Sequence, residues 1–501
     1  MNRNTLLAGL VFSVLCGCNG DGWNVPWGSG DRVLVAKCLY DTGVVQPHRY
    51  DVVVFKYPVT PIDKGTPKNY IKRLIGLPGE IIAIFFGRLY RCSPEDAEQL
   101  AFRKEDEMVP PLERWHAKYM HSDSPEMLAL FEKGLAKFEI LRKPPDVMLD
   151  MRRIVFDNDF QPKDLENIVP PRWDAKRTKN WAASDGNRVF THAGEGDAVD
   201  WLRYQHLYVR RPPLAGGQEF KPKLITDMMG YNHYTLELNR YADPEHPDLK
   251  EDEAQGPNWV GDLMLECDVD VQKGQGELVL ELSKGINRFQ ARFSLADGVC
   301  KLFQIQGGKE TELTSKPTRL AGTGSHVVRF ANIDARLTVW VDRELPFAHG
   351  HTYSPPEVRD RGEEISEDAL KERRGPTPND LEPASIGSKG AAVTLRHVRL
   401  WRDTYYTTNY NGPDYDARPA HGPEGWKRTM PDEAWSDPTQ WSPLQNLSPK
   451  TLYVQPGHYL CLGDNSTASS DSRYWGLVPE RLLLGRALAV YYPLHRLGPI
   501  R

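Results

Sequence analysis

Several short strings near the two ends of the chain hold residues able to do acid–base and nucleophilic chemistry. Toward the front stand Gly30-Asp31-Arg32-Val33-Leu34-Val35, Asp51-Val52-Val53-Val54-Phe55 and Tyr70-Ile71-Lys72-Arg73-Leu74-Ile75-Gly76-Leu77-Pro78-Gly79-Glu80. Toward the back stand Gly457-His458-Tyr459, Gly463-Asp464-Asn465, Ser469, Asp471-Ser472-Arg473, Trp475-Gly476 and Val478-Pro479-Glu480. Lys72 sits among Ile71, Leu74 and Ile75 on an apolar run. Exposed lysine titrates near pH 10.4, and burial disfavours its ammonium by removing water from the charge. A lysine made neutral this way can take the proton of a nearby hydroxyl and turn it into a nucleophile. The plainer reading of Lys72 is a solvated residue on the outer face of a strand. Ser29, in Gly28-Ser29-Gly30, is either that nucleophile or part of a flexible turn.

Taken together and in this order, the strings resemble type I signal peptidases (leader peptidases). These are membrane-attached β-fold serine peptidases that use a Ser–Lys dyad. The resemblance implies that Lys72 is the general base and Ser469 the hydroxyl that orients it. It implies that Arg73, Asp464, Asp471 and Arg473 brace the site as ion pairs, and it aligns Ser29 with the nucleophile. The family tolerates an inserted domain between its Lys strand and its Gly-Asp-Asn box, which is where residues 93–448 fall. This chain departs from the family at the nucleophile. The family motif reads Pro-Ser/Thr-Gly-Ser-Met-x-Pro-Thr-Leu, then a short spacer, then Gly-Asp. Here Val25-Pro26-Trp27-Gly28-Ser29 runs straight into Gly30-Asp31. Trp27 replaces the hydroxyl residue that helps hold the oxyanion. About seven residues after the serine are absent, roughly 23 Å of extended chain, so the segment must be routed differently.

The elements that would position these residues are strands. Val33–Val35, Asp51–Phe55, Tyr70–Leu77 and Glu80–Ile84 are rich in β-branched residues and separated by turn signals. In the middle of the chain, Leu263, Leu265, Cys267, Val269 and Val271 alternate with other residues. So do Leu278, Leu280 and Leu282, Phe289 to Leu295, and Leu337, Val339 and Val341, with glycine turns between the runs. Regularly spaced strands with one apolar face predict a sandwich. Leu337-Thr338-Val339-Trp340-Val341-Asp342 and Val393–Trp401 resemble laminin-G or concanavalin-like jelly rolls. Ser93-Pro94 and Ser124-Pro125 read as helix N-caps followed by proline, and Leu128, Phe131, Leu135 and Phe138 recur at helical spacing. Pro144-Pro145 marks a boundary.

The expected fold is therefore mainly β: a signal-peptidase-type β-fold split by a large inserted β-sandwich, with a short helical segment near 93–142. The expected domains are 1–18 as a signal, lipoprotein signal or membrane anchor, and 25–92 as the first part of the peptidase domain. A helical connector follows at 93–149, then the jelly-roll sandwich at 150–407. Residues 408–448 read as a linker or irregular surface, and 449–501 as the second peptidase part.

Composition bounds the function. A chain of 501 residues with 26% charged residues and net charge −5 is neither a polytopic membrane protein nor a nucleic-acid binder. Thr5–Leu15 is an uncharged apolar run after a basic start, too short to span a bilayer and laid out as a secretory signal. Its end, Leu15-Cys16-Gly17-Cys18, resembles a bacterial lipobox with Cys18 as the lipidated residue; an ordinary signal or anchor is the other reading. Cys267 and Cys300 could pair or stay as buried thiols. Asp157-Asn158-Asp159 and Asp268 could suit Ca²⁺, but solvated acids are the plainer reading, and neither a metal nor a cofactor is expected. The expected protein is exported and membrane-associated, cleaves signal peptides from pre-proteins, and offers its sandwich to a glycan or peptide. The alternative is a catalytically impaired, lipid-anchored binding protein of the same fold.

Overall fold

Strands form where β-branched residues run or apolar ones alternate, and the protein is mainly β, as that pattern predicts. The computed structural model describes residues 31–41, 45–58, 68–96, 138–165, 168–208, 220–228, 256–358, 363–408, 413–415, 430–466 and 469–500. The front strands are β1 (Arg32–Ala36), β2 (Val52–Lys56), β3 (Asn69–Gly76), β4 (Ile81–Phe85) and β5 (Arg88–Cys92). β6 (Glu139–Ile140), β7 (Arg153–Asp157), β8 (Trp181–Ser184), β9 (Val189–Ala193) and β10 (Asp200–Arg203) follow. The long central strands are β11 (Leu263–Val271), β12 (Glu277–Lys284), β13 (Asn287–Ser294), β14 (Val299–Gln306), β15 (Lys309–Pro317), β16 (Gly324–Ile333) and β17 (Arg336–Val341). β18 (His351–Thr352), β19 (Ala384–Lys389) and β20 (Ala392–Arg402) complete the middle of the chain. The back strands are β21 (Lys450–Tyr453), β22 (His458–Leu462), β23 (Val478–Pro479), β24 (Leu483–Tyr492) and β25 (Gly498–Pro499).

The two ends of the chain are woven into one sheet, ordered β1-β24-β2-β3-β22-β23, with β25 on β24. β3 lies between β2 and β22, with Lys72 opposite Val53 and Leu74 opposite Cys461. Successive side chains of a strand point to opposite faces. Leu74 therefore joins a core of Val53, Phe55, Tyr459, Cys461, Val478 and Leu483. Ile75 joins another with Ile82, Ile84, Leu452, Leu460 and Leu462. A second, four-stranded sheet, β21-β4-β5-β6, again pairs a back strand with front ones.

Between the ends, a six-stranded sheet (β10-β19-β12-β13-β14-β15) faces a larger one (β18-β17-β16-β11-β20-β9-β8, with β7 also on β20). The alternating residues identified in the sequence, from Leu263 to Val271 and from Leu278 to Leu282, interdigitate there in a single core. Cys267 and Cys300 are both in it as buried free thiols, which closes the disulfide alternative. Asp157 and Asp159 bind Arg399, and Asp159 also binds His397, so this acidic loop is held by basic residues of its own chain.

Asp96 N–H donates to Ser93 Oγ at 3.2 Å, as an N-cap should, but the helix read from Ser124 to Phe138 falls almost wholly outside the described residues. Pro145 opens a helix, Pro145–Met151, so the proline pair starts an element as well as ending a segment. The stretch 408–448 is not irregular surface where it is described. Residues 432–445 form three short 3₁₀ helices, and Trp435 and Trp441 are buried against Phe85, Phe86 and Tyr90 of the small sheet. The indole of Trp441 donates to Ala434 O at 2.8 Å. Tryptophans without periodicity gave no signal of burial, because 3₁₀ turns have no amphipathic repeat of useful length.

A buried ionic seam joins the small sheet to the sandwich. Arg88 on β5 grips Asp262 through two bonds of 3.0 and 2.9 Å and Glu357 at 3.1 Å. Lys284 on β12 also reaches Asp262 and Glu357. Lys143 bridges Asp334 and Asp403 at 2.8 and 2.7 Å. The carboxylates of Asp262, Asp334 and Asp403 lie within 4.8 Å of one another, and each is paired with at least one of these cations. Burial works against the Arg88 charge, yet Asp262 and Glu357 hold it firmly protonated. Removing one partner of such a seam strands its opposite charges in low dielectric, at a cost of about 3–5 kcal/mol. Arg88→Ala should therefore lose about that much stability in urea unfolding; a loss near zero would show the seam to be dispensable.

Candidate active site

Lys72 projects from β3 on the same face as Tyr70 and Leu74, above the core that holds Val53 and Cys461. Its Nζ donates to Ser469 Oγ at 2.9 Å, joining residues 397 positions apart. Burial lowers the pKa of the amine. Arg473 pushes the same way, while Asp471 and Asp464 pull against both without reversing the shift. An aromatic wall helps exclude water beside it. Tyr70, Tyr57, Phe55 and Trp475 lie with ring centroids 5.0 to 6.4 Å apart. The Tyr70 ring centroid is 6.0 Å from Lys72 Nζ.

Two ion pairs hold the loop that carries Ser469. Arg73, on the opposite face of β3 from Lys72, forks onto Asp464 with bonds of 2.9 and 2.8 Å and donates to Tyr50 O at 2.9 Å. Planar two-point contact of this kind fixes orientation as well as distance. Burial opposes the Asp464 charge, but Arg73 keeps its carboxyl below the usual range. Arg473 binds Asp471 at 2.9 and 2.7 Å. Asp471 is fully buried and also accepts Gly463 N–H at 3.0 Å and Arg473 N–H at 3.1 Å, capping the short helix Ser472–Trp475. Arg473 further donates to Ser466 and to Thr407.

The structure thus brings together Lys72, Ser469, Arg73, Asp464, Asp471 and Arg473. Ser29 and Cys18 lie outside the described residues. Sequence reasoning missed three contributors. In the sequence Gly463 is only one letter of its box, yet a Cβ there would lie 2.0 Å from Ser469 Oγ and 3.2 Å from Lys72 Nζ. Only a hydrogen leaves room for the pair. Thr407 and Arg153 lie far from both boxes in sequence, and neither carries a local signal; Arg153 donates to Asp464 O at 3.2 Å.

A lysine–hydroxyl pair braced by two arginine–carboxylate pairs, on a β-domain closed by the two chain ends, has known relatives. The family model for signal peptidase, peptidase S26, matches residues 18–111 and 386–492. These two segments of the chain match that family's model, and most of the sandwich lies between them. Among individual relatives, the chain is 51% identical over 45 residues to a probable signal peptidase I-2 of Synechocystis, covering 9% of this chain and 21% of that one. It is 38% identical over 61 residues to signal peptidase I of Leptolyngbya laminosa, covering 12% and 26%. With signal peptidase IB of Staphylococcus aureus it shares 40% over 50 residues, covering 10% and 26%. The chain thus spans about a quarter or less of the length of these relatives. Among solved structures, carbohydrate-binding module CBM66 from Bacillus subtilis aligns at 10% identity and a TM-score of 0.25, over 46% of this chain and 94% of that one. Galectin LEC-6 of Caenorhabditis elegans aligns at 9% and 0.18, over 28% and 83%.

The role of Gly463 can be tested directly. Gly463→Ala should separate Lys72 from Ser469 and move the Lys72 amine back toward ordinary lysine values, with about 1–3 kcal/mol lost to overpacking. The pH dependence of Lys72 acylation, read by mass spectrometry, reports this; an unshifted titration would show that the pair tolerates a methyl group.

Proposed function

We propose that the chain is a serine endopeptidase of the signal-peptidase type that removes leader peptides from exported proteins. The observation that carries this reading is the Lys72–Ser469 contact of 2.9 Å, made by an amine whose pKa burial lowers. Neutral Lys72 accepts the proton of the attacking hydroxyl as its oxygen bonds to the scissile carbonyl carbon. The resulting ammonium then gives that proton to the leaving amine, and water hydrolyses the ester that is left. Ser469 holds the lysine in line. Ser29 is the hydroxyl that the family resemblance assigns to the attack. Residues with small side chains next to the scissile bond are the substrate class that the same resemblance implies.

The reading also places the protein at a membrane surface on the exported side, with Cys18 as the candidate lipid attachment point. Leu488, Tyr491, Leu494 and Leu497 near the C-terminus are exposed apolar side chains, which supports that placement. Among the described residues, no helix is long and apolar enough to cross a membrane. The sandwich bears a groove of about 1070 Å³ between β7, β8 and the intervening loops, lined by Phe156, Phe160, Arg172 and Trp181, which is of a size to take a glycan or peptide.

Cleavage of a purified pre-protein by wild type, Lys72→Ala and Ser29→Ala tests the mechanism. Each variant should lose on the order of 10³-fold or more in rate. The wild-type rate should rise with pH as Lys72 gives up its proton, at a pH below that of ordinary lysine. A wild type no faster than both variants would overturn the peptidase reading.

A further inference from the structure

The sandwich is not a bystander to the Lys72 site. β7 belongs to its larger sheet, where Arg153 pairs with Arg402 of β20. From that position the Arg153 side chain leaves the sandwich and reaches the Gly-Asp-Asn box. Its Nη2 donates to Asp464 O at 3.2 Å and lies 4.0 Å from Asp464 Oδ2. Asp464 is the carboxylate that Arg73 grips, and Arg73 is the neighbour of Lys72 on β3. Arg153 falls outside both segments that match the signal peptidase family. Arg402, buried beside it, is held by Asp227 O, Met228 O and Asp403 O. The two guanidiniums on paired strands repel, and Arg153 points away from Arg402 to the carboxylate of Asp464.

We propose that Arg153, supplied by the inserted sandwich, is a positioning residue of the Lys72 site that holds Asp464 and, through it, Arg73 and the loop leading to Ser469. The inference rests on the reading of Lys72 as the general base. Both Arg153 and Arg73 favour the ionised form of Asp464. The charged groups around Lys72 are Asp471 and Arg473 on the Ser469 loop and Asp464 at its start, with the thiol of Cys461 beneath. Removing Arg153 takes away a cation and loosens Asp464. The first effect leaves the Asp464 charge less compensated at Lys72, and the second admits water to the amine. Both raise the Lys72 pKa.

The test uses the full chain with Arg153→Ala and Arg153→Lys, and two readouts. Competitive acylation of Lys72 across pH, read by mass spectrometry, needs no peptidase activity. In Arg153→Ala the midpoint should move up by about half a pH unit to one unit, and Arg153→Lys should restore most of the shift. Pre-protein cleavage by Arg153→Ala should fall on the order of tenfold to a hundredfold in kcat with KM little changed. A midpoint identical in wild type and Arg153→Ala overturns the proposal, even if the variant melts earlier, because a merely structural arginine would change stability alone. A wild type that cleaves nothing removes the peptidase reading, while the Lys72 titration still decides the role of Arg153.

Discussion

One two-pronged ion pair, Arg73 to Asp464, ties together residues 391 positions apart and so brings the two chain ends to a common site. Its geometry has consequences on both sides of the sheet. Arg73 and Lys72 are adjacent on β3 and therefore point to opposite faces. The arginine can be fully neutralised by its carboxylate while the lysine stays over an apolar core. Were both on one face, Asp464 would hold Lys72 as an ammonium. The strand's period of two thus separates a charged brace from an amine whose pKa burial lowers.

The closure of so long a loop is less costly than it looks. The entropy of closing a flexible loop grows only with the logarithm of its length, about 0.6 kcal/mol per doubling. Here the intervening chain is itself folded, and its ends are held together by the β-sandwich and by the seam of Arg88, Lys284 and Lys143 with Asp262, Glu357, Asp334 and Asp403. Such seams contribute little to net stability, because desolvating the charges offsets much of their attraction. Placing them at the junction orients the sandwich against the small sheet, and the Arg153 contact depends on that orientation.

What could be read from the sequence follows from how local each cause is. Alternation along β11, β12 and β17 is a local property, and its apolar residues line the sandwich core; that the residues between them are mostly buried as well was not legible. Lys72, Arg73 and the Asp464–Arg473 loop were legible because their types and order match a known pattern. The space that Gly463 provides was not, since it depends on where two distant side chains meet. Arg153 and Thr407 were invisible for the same reason: their partners are chosen by the packing of the sandwich and not by their neighbours in the chain. Trp435 and Trp441 show the remaining limit, because short 3₁₀ turns bury residues without leaving a period to detect.

The weaving of β24 between β1 and β2, and of β22 beside β3, also sets an order of events during synthesis. A chain emerges from its N-terminus, so β2 and β3 are made long before the strands that flank them. The 397 positions from Lys72 to Ser469 take roughly 20 to 80 s to translate at usual rates. For that interval the lysine has neither its hydroxyl nor the carboxylates of its loop, and the sandwich can fold first. The contact between Lys72 and Ser469 can therefore form only after every strand of the sandwich has been synthesised.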